Sequence, residues 1–447
     1  MRRSSLRRFA VAGAALTVLL TGASVPVQAA SSGQAATHGK SGKHQLLNVG
    51  YFTQWGIYDR KFYVKNLVTS GAIEHLTHIN YAFGDVNAEG KCTSSDAWAD
   101  YQRPVPAEES VDGVADTPGG PLNGNLGQLR KLKAKYPKLR IMISLGGWVL
   151  SDHFSDAVLT PQARRKFAES CVDLWLKGNL PKAGAGQPGG RGVGAGVFDG
   201  IDIDWEFPGW PGEPGNTVRP EDKQNLTLAV AEFRRQLDAY GRKTRKKYEL
   251  TAFVPANPGA IDAGFEVKKL ARYLDFITLQ GYDYHGGWNK EANHQSALRL
   301  PEGGPKPDYS GETTVQAWES RGMPRSKLVL GIPYYGRGWT GITGGGNGLW
   351  QPATGPAPAT YEAGYEDYKI LAGLQSKGYT LYRDIPNGHA WLFDGTTFWT
   401  FDDPYVVLQK ATYIRDHKLR GAMVWSLDGD DANATLTKTI GYGLRGR

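Results

Sequence analysis

Cysteine is scarce and histidine is scattered: Cys92 and Cys171 are the only thiols in 447 residues, and the nine histidines form no His-x-x-x-His pair. With no C-x-x-C either, no metal centre is expected. Beyond the first thirty residues no stretch approaches about 18 unbroken apolar residues, so no membrane span is expected. Lys/Arg blocks interleaved with aromatics are missing too, which removes nucleic acid from the expected partners. A nucleophilic Ser/His/Asp pattern is likewise not found. GAGQPG (184–189) formally fits the dinucleotide pattern G-x-G-x-x-G, but it follows a helix, contains Pro188 and precedes a strand, so it is assigned to a loop.

What is present is a large apolar inventory, 40% hydrophobic and 11% aromatic, enough for the core of one large domain or two ordinary ones. MRRSSLRR is a basic start, FAVAGAALTVLLTG an apolar run, and Val27–Ala29 a small-residue cleavage pattern, so residues 1–30 read as a secretory signal peptide and the mature protein as extracellular. Arg7-Arg8-Phe9 loosely resembles a twin-arginine signal, and the export route is left open. Removing Arg2, Arg3, Arg7 and Arg8 brings the formal charge of +8 to about +4. Residues 31–45 are a small, polar leader. In an exported chain Cys92 and Cys171 can pair or remain buried thiols, and the sequence leaves both open.

From residue 46 onward, β-rich runs alternate with amphipathic stretches. The runs are 46–52, 77–83, 139–148, 197–207, 248–255, 275–282, 327–336 and 420–427; helices are expected at 126–136, 161–178, 219–243 and 403–418. Eight such units predict an α/β fold, a (β/α)8 TIM barrel over 46–447, with an open doubly wound sheet as the alternative. Residues 84–123 and 340–400 are too long for plain barrel loops. The second reads as a small α+β insertion between strands seven and eight, and both would wall a groove over the active face.

Strand four, GVFDGIDIDWEFPG (196–209), carries Asp199, Asp202, Asp204 and Glu206. Alternation with Ile203 and Trp205 sends Asp202, Asp204 and Glu206 to one face. Carboxylates two apart on a strand lie roughly 6.5–7 Å from one another and repel by about 2.5 kcal/mol at an effective dielectric of ~20. One member should therefore hold a proton at neutral pH, as a general acid needs. Glu206, nearest the strand's end, is assigned that part; Asp204 would share a hydrogen bond with it and Asp202 would tune charge from deeper in the barrel. Aromatics recur at the other strand ends: Tyr51, Phe83, Trp148, Tyr282, Trp288 and Trp425. Flat faces of that kind suit the apolar faces of sugar rings.

On these residues the chain resembles the glycoside hydrolase family 18 chitinases, whose D-x-x-D-x-D-x-E signature stands here as Asp199, Asp202, Asp204 and Glu206. Further matches are SLGGW (Ser144, Gly146, Gly147, Trp148), GYD (Gly281 to Asp283), GIPYYGRGW (331–339, with Arg337) and AMVW (422–425). Gln280 departs from the family's usual Met before GYD and implies a more polar pocket wall. The resemblance implies cofactor-free, retaining hydrolysis of β-1,4-linked N-acetylglucosamine, with endo or exo action undecided. In this mechanism the substrate's own acetamido oxygen attacks and an oxazolinium forms. It further implies that Asp204 orients the acetamido N–H, Tyr282 hydrogen-bonds its oxygen, Asp283 positions the sugar, and Trp425 floors the cleavage site. Tyr51, Phe83, Trp148, Gln280, Trp288 and Arg337 would line the groove; Asp199, Ser144, Gly146 and Gly147 would be structural, Asp199 holding the entry of strand four. The expected partners are chitin and chitooligosaccharides, acted on by a monomer. Two competitors are an endo-β-N-acetylglucosaminidase acting on N-glycans and a non-catalytic chitin-binding relative; a third is a two-carboxylate mechanism with Asp283 as nucleophile.

Overall fold

The structure, a computed structural model, describes residues 45–446 except residues 183, 306 and 307. The signal-peptide and leader expectations for 1–44 lie outside the described residues.

Apolar runs such as LNVGYFT, RIMISLG and LVLGIP are buried along almost their whole length, as strands covered on both faces require. They form β1 (Leu47–Thr53), β2 (His78–Val86), β3 (Arg140–Gly146), β4 (Gly200–Asp204), β5 (Glu249–Val254), β6 (Phe276–Leu279), β7 (Leu328–Pro333) and β8 (Gly421–Trp425). Each pairs in parallel with its neighbours, and β1 pairs with both β2 and β8, so the sheet closes into a barrel. The open-sheet alternative is excluded by that last pairing.

Strand parity divides the core in two. Ile201, Ile203 and Trp205 join the large cluster between sheet and helices, Trp205 stacking on Phe154 at 5.5 Å. Tyr51, Phe253, Phe276, Tyr282 and Met423 fill the barrel interior, the side to which Asp202 and Asp204 point.

The helices begin where the sequence supplies caps. Pro161–Cys171 opens with Pro at its first position and the Thr160 hydroxyl accepting the Ala163 N–H at 3.1 Å; Pro404–Asp416 repeats the device with Asp403 and Val406 at 2.9 Å. The helix expected to reach residue 178 ends at Cys171 and continues as a wider turn, Val172–Leu176. Gly124–Lys135 and Asp222–Thr244 complete the four expected helices.

Six strands end before their expected runs do, and three of these early ends shape the site. β4 stops at Asp204, leaving Glu206 just past it; β6 stops at Leu279, leaving GYD in the loop. At Gly281 a Cβ would come within 2.0 Å of the Gly331 carbonyl, so only glycine lets the loop pass this close to β7. β7 ends at Pro333, and Tyr334 donates its N–H to the Trp425 carbonyl at 2.8 Å, after which the chain leaves the barrel. Tyr335–Thr340 already belongs to a second, six-stranded antiparallel sheet completed by Gly355–Pro356, Tyr365–Asp367, Thr380–Asp384, His389–Phe393 and Phe398–Phe401. This sheet has its own core of Trp339, Ile342, Trp391, Phe393 and Phe398. It begins five residues before the expected 340.

The long connection after β2 folds back as a hairpin, Cys92–Ser94 pairing antiparallel with the end of β2. Cys92 and Cys171 are disulfide-bonded, with Cα atoms 4.9 Å apart, tying that hairpin to the helix Pro161–Cys171. Among the described residues no helix is long and apolar enough to cross a membrane.

Candidate active site

The C-terminal ends of the barrel strands bring the acid row to one place. Asp202, fully buried in β4, accepts three hydroxyl hydrogen bonds: from Tyr51 of β1 at 2.8 Å, Ser144 of β3 at 2.8 Å and Thr251 of β5 at 2.5 Å. Burial raises its pKa and the three donors oppose that rise. Asp204, one layer higher and also buried, leaves Oδ1 without a partner. Its carboxyl is held well above the usual range by burial first, then by the charges of Glu206 and Asp202. Asp204 and Glu206 share a side-chain hydrogen bond. Two carboxyl groups can do so only if one keeps a proton, so the pair holds one at neutral pH. Glu206, half-buried at the barrel mouth, is pushed up to about 8, by burial first and then by Asp283.

Glu206 owes its position to a residue the sequence reading passed over. Ser151 Oγ accepts the Glu206 N–H at 3.0 Å and donates to the Gly147 carbonyl at 2.8 Å. Gly147 in turn donates its N–H to the Asp204 carbonyl at 2.7 Å. Both motif glycines adopt positive φ, 106° at Gly146 and 80° at Gly147. A Cβ would come 2.3 Å from the Asp204 carbonyl at Gly146 and 2.6 Å from the Phe83 ring at Gly147. Only glycine lets the β3 loop lie this close to the acids.

Opposite the acids stands a second constellation. Asp283, at φ 57° in the loop after β6, accepts at Oδ1 from Tyr335 Oη at 2.8 Å and Arg337 Nε at 2.7 Å. Arg337 lies over three rings, Trp288 at 5.0 Å and Tyr335 and Tyr365 each at 5.3 Å. The Tyr282 hydroxyl reaches only the Met423 sulfur, at 3.9 Å, a weak acceptor that leaves the phenol free to donate elsewhere. Burial and the charges of Asp204, Glu206 and Asp283 raise its pKa well above the usual value, so the proton stays on.

Trp425 is half-buried and stacks on Phe83 at 5.6 Å and 18°, with Tyr51 at 5.2 Å and Trp55 at 6.3 Å. Trp148 and Trp288 are exposed on the rim, at 46% and 59%. Two of the groove candidates are turned to partners within the fold. Tyr51 is wholly buried with its hydroxyl on Asp202, beneath the groove. Gln280 is half-buried, its Oε1 accepting the Ala256 N–H at 3.3 Å. Asp199 stands at the entry of β4, at the far end of the strand from Glu206, accepting from Lys133 Nζ at 2.8 Å and the Ile141 N–H at 2.9 Å. His294, in the loop after β6, is buried against His389, ring centroids 3.6 Å apart. His285 pairs with Asp308 at 3.1 Å.

Thr251, Ser151, Tyr365 and Met423 complete the site without having been assigned a part in it, and Tyr335, within the GIPYYGRGW match, joins them as the donor to Asp283. Thr251 was within reach: it has inward parity in YELTAFV, beside the acid strand. Among the described residues no cluster of three or more His, Cys, Asp or Glu side chains is arranged to hold a metal ion.

The chain matches Glycosyl hydrolases family 18 over residues 48–430. It is 40% identical over 401 residues to Chitinase C of Streptomyces lividans, covering 88% of this chain and 59% of that protein. It is 36% identical over 323 residues to Chitotriosidase-1 of Mus musculus, covering 71% and 64%. Both relatives are thus longer than the region shared with this chain. Among solved structures, the catalytic domain of psychrophilic chitinase B from Arthrobacter TAD20 superposes with a TM-score of 0.86 at 43% identity, covering 90% of this chain and 96% of that one. The match spans every barrel strand and the whole acid row, and the chain belongs to glycosyl hydrolase family 18.

Proposed function

We propose that this protein is an exported chitinase that cleaves β-1,4-linked N-acetylglucosamine chains with retention, using the substrate's acetamido oxygen as nucleophile. The observation that carries the mechanism is the state of Asp283. A retaining enzyme of the ordinary kind needs a second carboxylate free to attack. Oδ1 of Asp283 is instead held by a phenol and a guanidinium, charge-assisted bonds that lower its nucleophilicity and fix it as a positioning group.

The remaining groups suit an attack from within the substrate. The proton of the Asp204–Glu206 pair is delivered by Glu206 to the leaving oxygen. Asp204, then ionised, accepts the acetamido N–H and opposes the positive charge of the oxazolinium, while Asp202 stays charged beneath it. The free Tyr282 hydroxyl donates to the acetamido oxygen and aims it at the anomeric carbon. Glu206, now a base, takes a proton from the water that opens the ring. Trp425 and Phe83 offer the sugar a flat floor, and Trp148 and Trp288 extend the stacking surface along a linear chain. No step in this scheme needs a cofactor.

The test is turnover of chitohexaose by wild type and Glu206→Gln, with a second substrate carrying a free amine in place of the acetamido group at the cleavage site. Loss of a general acid costs about a thousandfold in kcat, and the amine substrate should be nearly inert. A fully active Glu206→Gln would overturn the acid assignment. Efficient cleavage of the amine substrate would restore Asp283 as nucleophile, and activity confined to glycoproteins would overturn the substrate class.

A further inference from the structure

One guanidinium joins the two sides of the groove. Arg60, in the loop after β1, donates from Nε and Nη2 to the two oxygens of Asp367 at 3.0 and 3.1 Å, and its Nε lies 3.4 Å from Asp428. Asp367 ends a strand of the second sheet. Asp428 follows β8, where it also accepts from Thr53 Oγ1 at 2.8 Å and Ser426 Oγ at 2.5 Å. Both acids are almost wholly buried, with side chains 1% and 2% exposed. The one other cation at Asp367 among the described residues is Lys369, at 3.2 Å.

From each acid the contacts run on into the site. Two residues before Asp367, Tyr365 lays its ring on Tyr335 at 4.3 Å and 16°, and Tyr335 is the donor that holds Asp283. Two residues before Asp428, Ser426 follows Trp425 directly. We propose that Arg60 is a positioning residue for the hydrolysis: by bridging Asp367 and Asp428 it holds the Tyr365–Tyr335–Asp283 wall over the Trp425 floor, and its fork, beyond its charge, sets where Asp283 stands relative to Glu206. The proposal rests on Glu206 being the general acid.

Removing Arg60 would leave two buried carboxylates facing each other with Lys369 alone beside them, and the strand Tyr365–Asp367 would be pushed from the β8 loop. Lysine at position 60 restores one positive charge but cannot span both oxygens of Asp367. If Asp283 moves away, the charge that helps keep the Glu206 proton in place weakens, and that proton is lost at lower pH.

The experiment compares wild type, Arg60→Lys, Arg60→Met and Arg321→Met. The last breaks a similar fork, Arg321 on Asp262 at 2.6 and 2.8 Å, on the outer helices. Two readouts are taken: the pH–rate profile on chitohexaose, and a carbon-13 NMR titration of the Glu206 carboxyl in side-chain-labelled protein, which needs no turnover. In Arg60→Lys the alkaline limb and the NMR midpoint should both move down by about half a pH unit or more, with kcat falling about tenfold and KM changing less. Arg321→Met should change neither. A folded Arg60→Lys with the wild-type midpoint would overturn the proposal, as would an equal shift in Arg321→Met. Should Arg60→Met fail to fold, Arg60→Lys alone decides. Wild type that leaves chitohexaose uncut would overturn the hydrolase assignment instead, and the NMR midpoint would still decide the part played by Arg60.

Discussion

Asp202 and Asp204 stand two positions apart in one strand, in opposite circumstances. Asp202 has three hydroxyl donors, whereas Asp204 keeps a buried oxygen without any. The three donors favour negative charge on Asp202 against the rise that burial causes, whereas burial and the neighbouring charges hold the proton more firmly on the Asp204–Glu206 pair. This predicts the outcome of Thr251→Val, which keeps the shape of the side chain and deletes one donor. Asp202 then holds a proton more readily, so the acid limb of the pH–rate profile should move to higher pH and kcat should drop several-fold, with Thr251→Ser close to wild type. An acid limb unmoved in Thr251→Val would show that Asp202 does not act ionised. On the other side of the profile the sign reverses. Glu206 works protonated and is pushed up to about 8, by burial and then by Asp283, so activity should fall as pH rises through that value. Asp283→Asn removes the charge and should bring the alkaline limb down, besides lowering kcat; a limb that stays in place would mean that burial alone holds the proton.

At the scale of elements, the sequence displayed what parity and spacing can display. Eight apolar runs separated by amphipathic stretches gave the barrel, and the alternation of Asp202, Ile203, Asp204 and Trp205 gave the inward acids. What a single strand cannot reveal is its neighbour's register, so Thr251, two strand-widths from Ser144, went unassigned although its parity was visible. Glu206 looked like a strand residue because alternation runs on past Asp204; the early end of β4 and the hold of Ser151 on the next turn are tertiary effects. Tyr365 was hidden for a similar reason, since its place against Tyr335 depends on antiparallel pairing inside the second sheet. The two cysteines were undecidable because a separation of 79 residues says nothing about approach in space. Paired, they close a long loop, for which chain entropy gives about 4 kcal/mol of stabilisation. Cys171→Ser should therefore lower Tm by about 5 °C in a chain of this size. The hairpin Cys92–Ser94 should become the first site of limited proteolysis. A variant with unchanged Tm and an intact hairpin would show that the backbone hydrogen bonds there suffice.

Across the whole molecule, the barrel and the second sheet are also joined at a site that works against acid. His294, from the long loop after β6, meets His389, from a strand of the second sheet, with both side chains buried and both ring nitrogens of each lacking a hydrogen-bond partner. The groups around them are Asp384, 3.3 Å from His389, Asp308 and His285 near His294, and Lys410 near His389. Burial holds His294 well below its ordinary 6.5, with His389 adding to the effect; burial and then Lys410 push His389 down to about 3. The folded protein thus keeps both rings neutral where the unfolded chain would protonate them. The unfolded state binds more protons below pH 6.5, so stability contributed by the neutral pair is complete above that value and is lost as pH falls below it, for His389 down toward about 3. His389 adds about 1.4 kcal/mol per pH unit to the slope within its window, and His294 steepens it in the same direction. Thermal unfolding followed from pH 7 to pH 4 should accordingly show Tm falling less steeply in His294→Leu and in His389→Leu than in wild type, whatever each substitution does to Tm at pH 7. Parallel curves for all three proteins would mean that the carboxylates, and not this pair, set the acid limit of the fold.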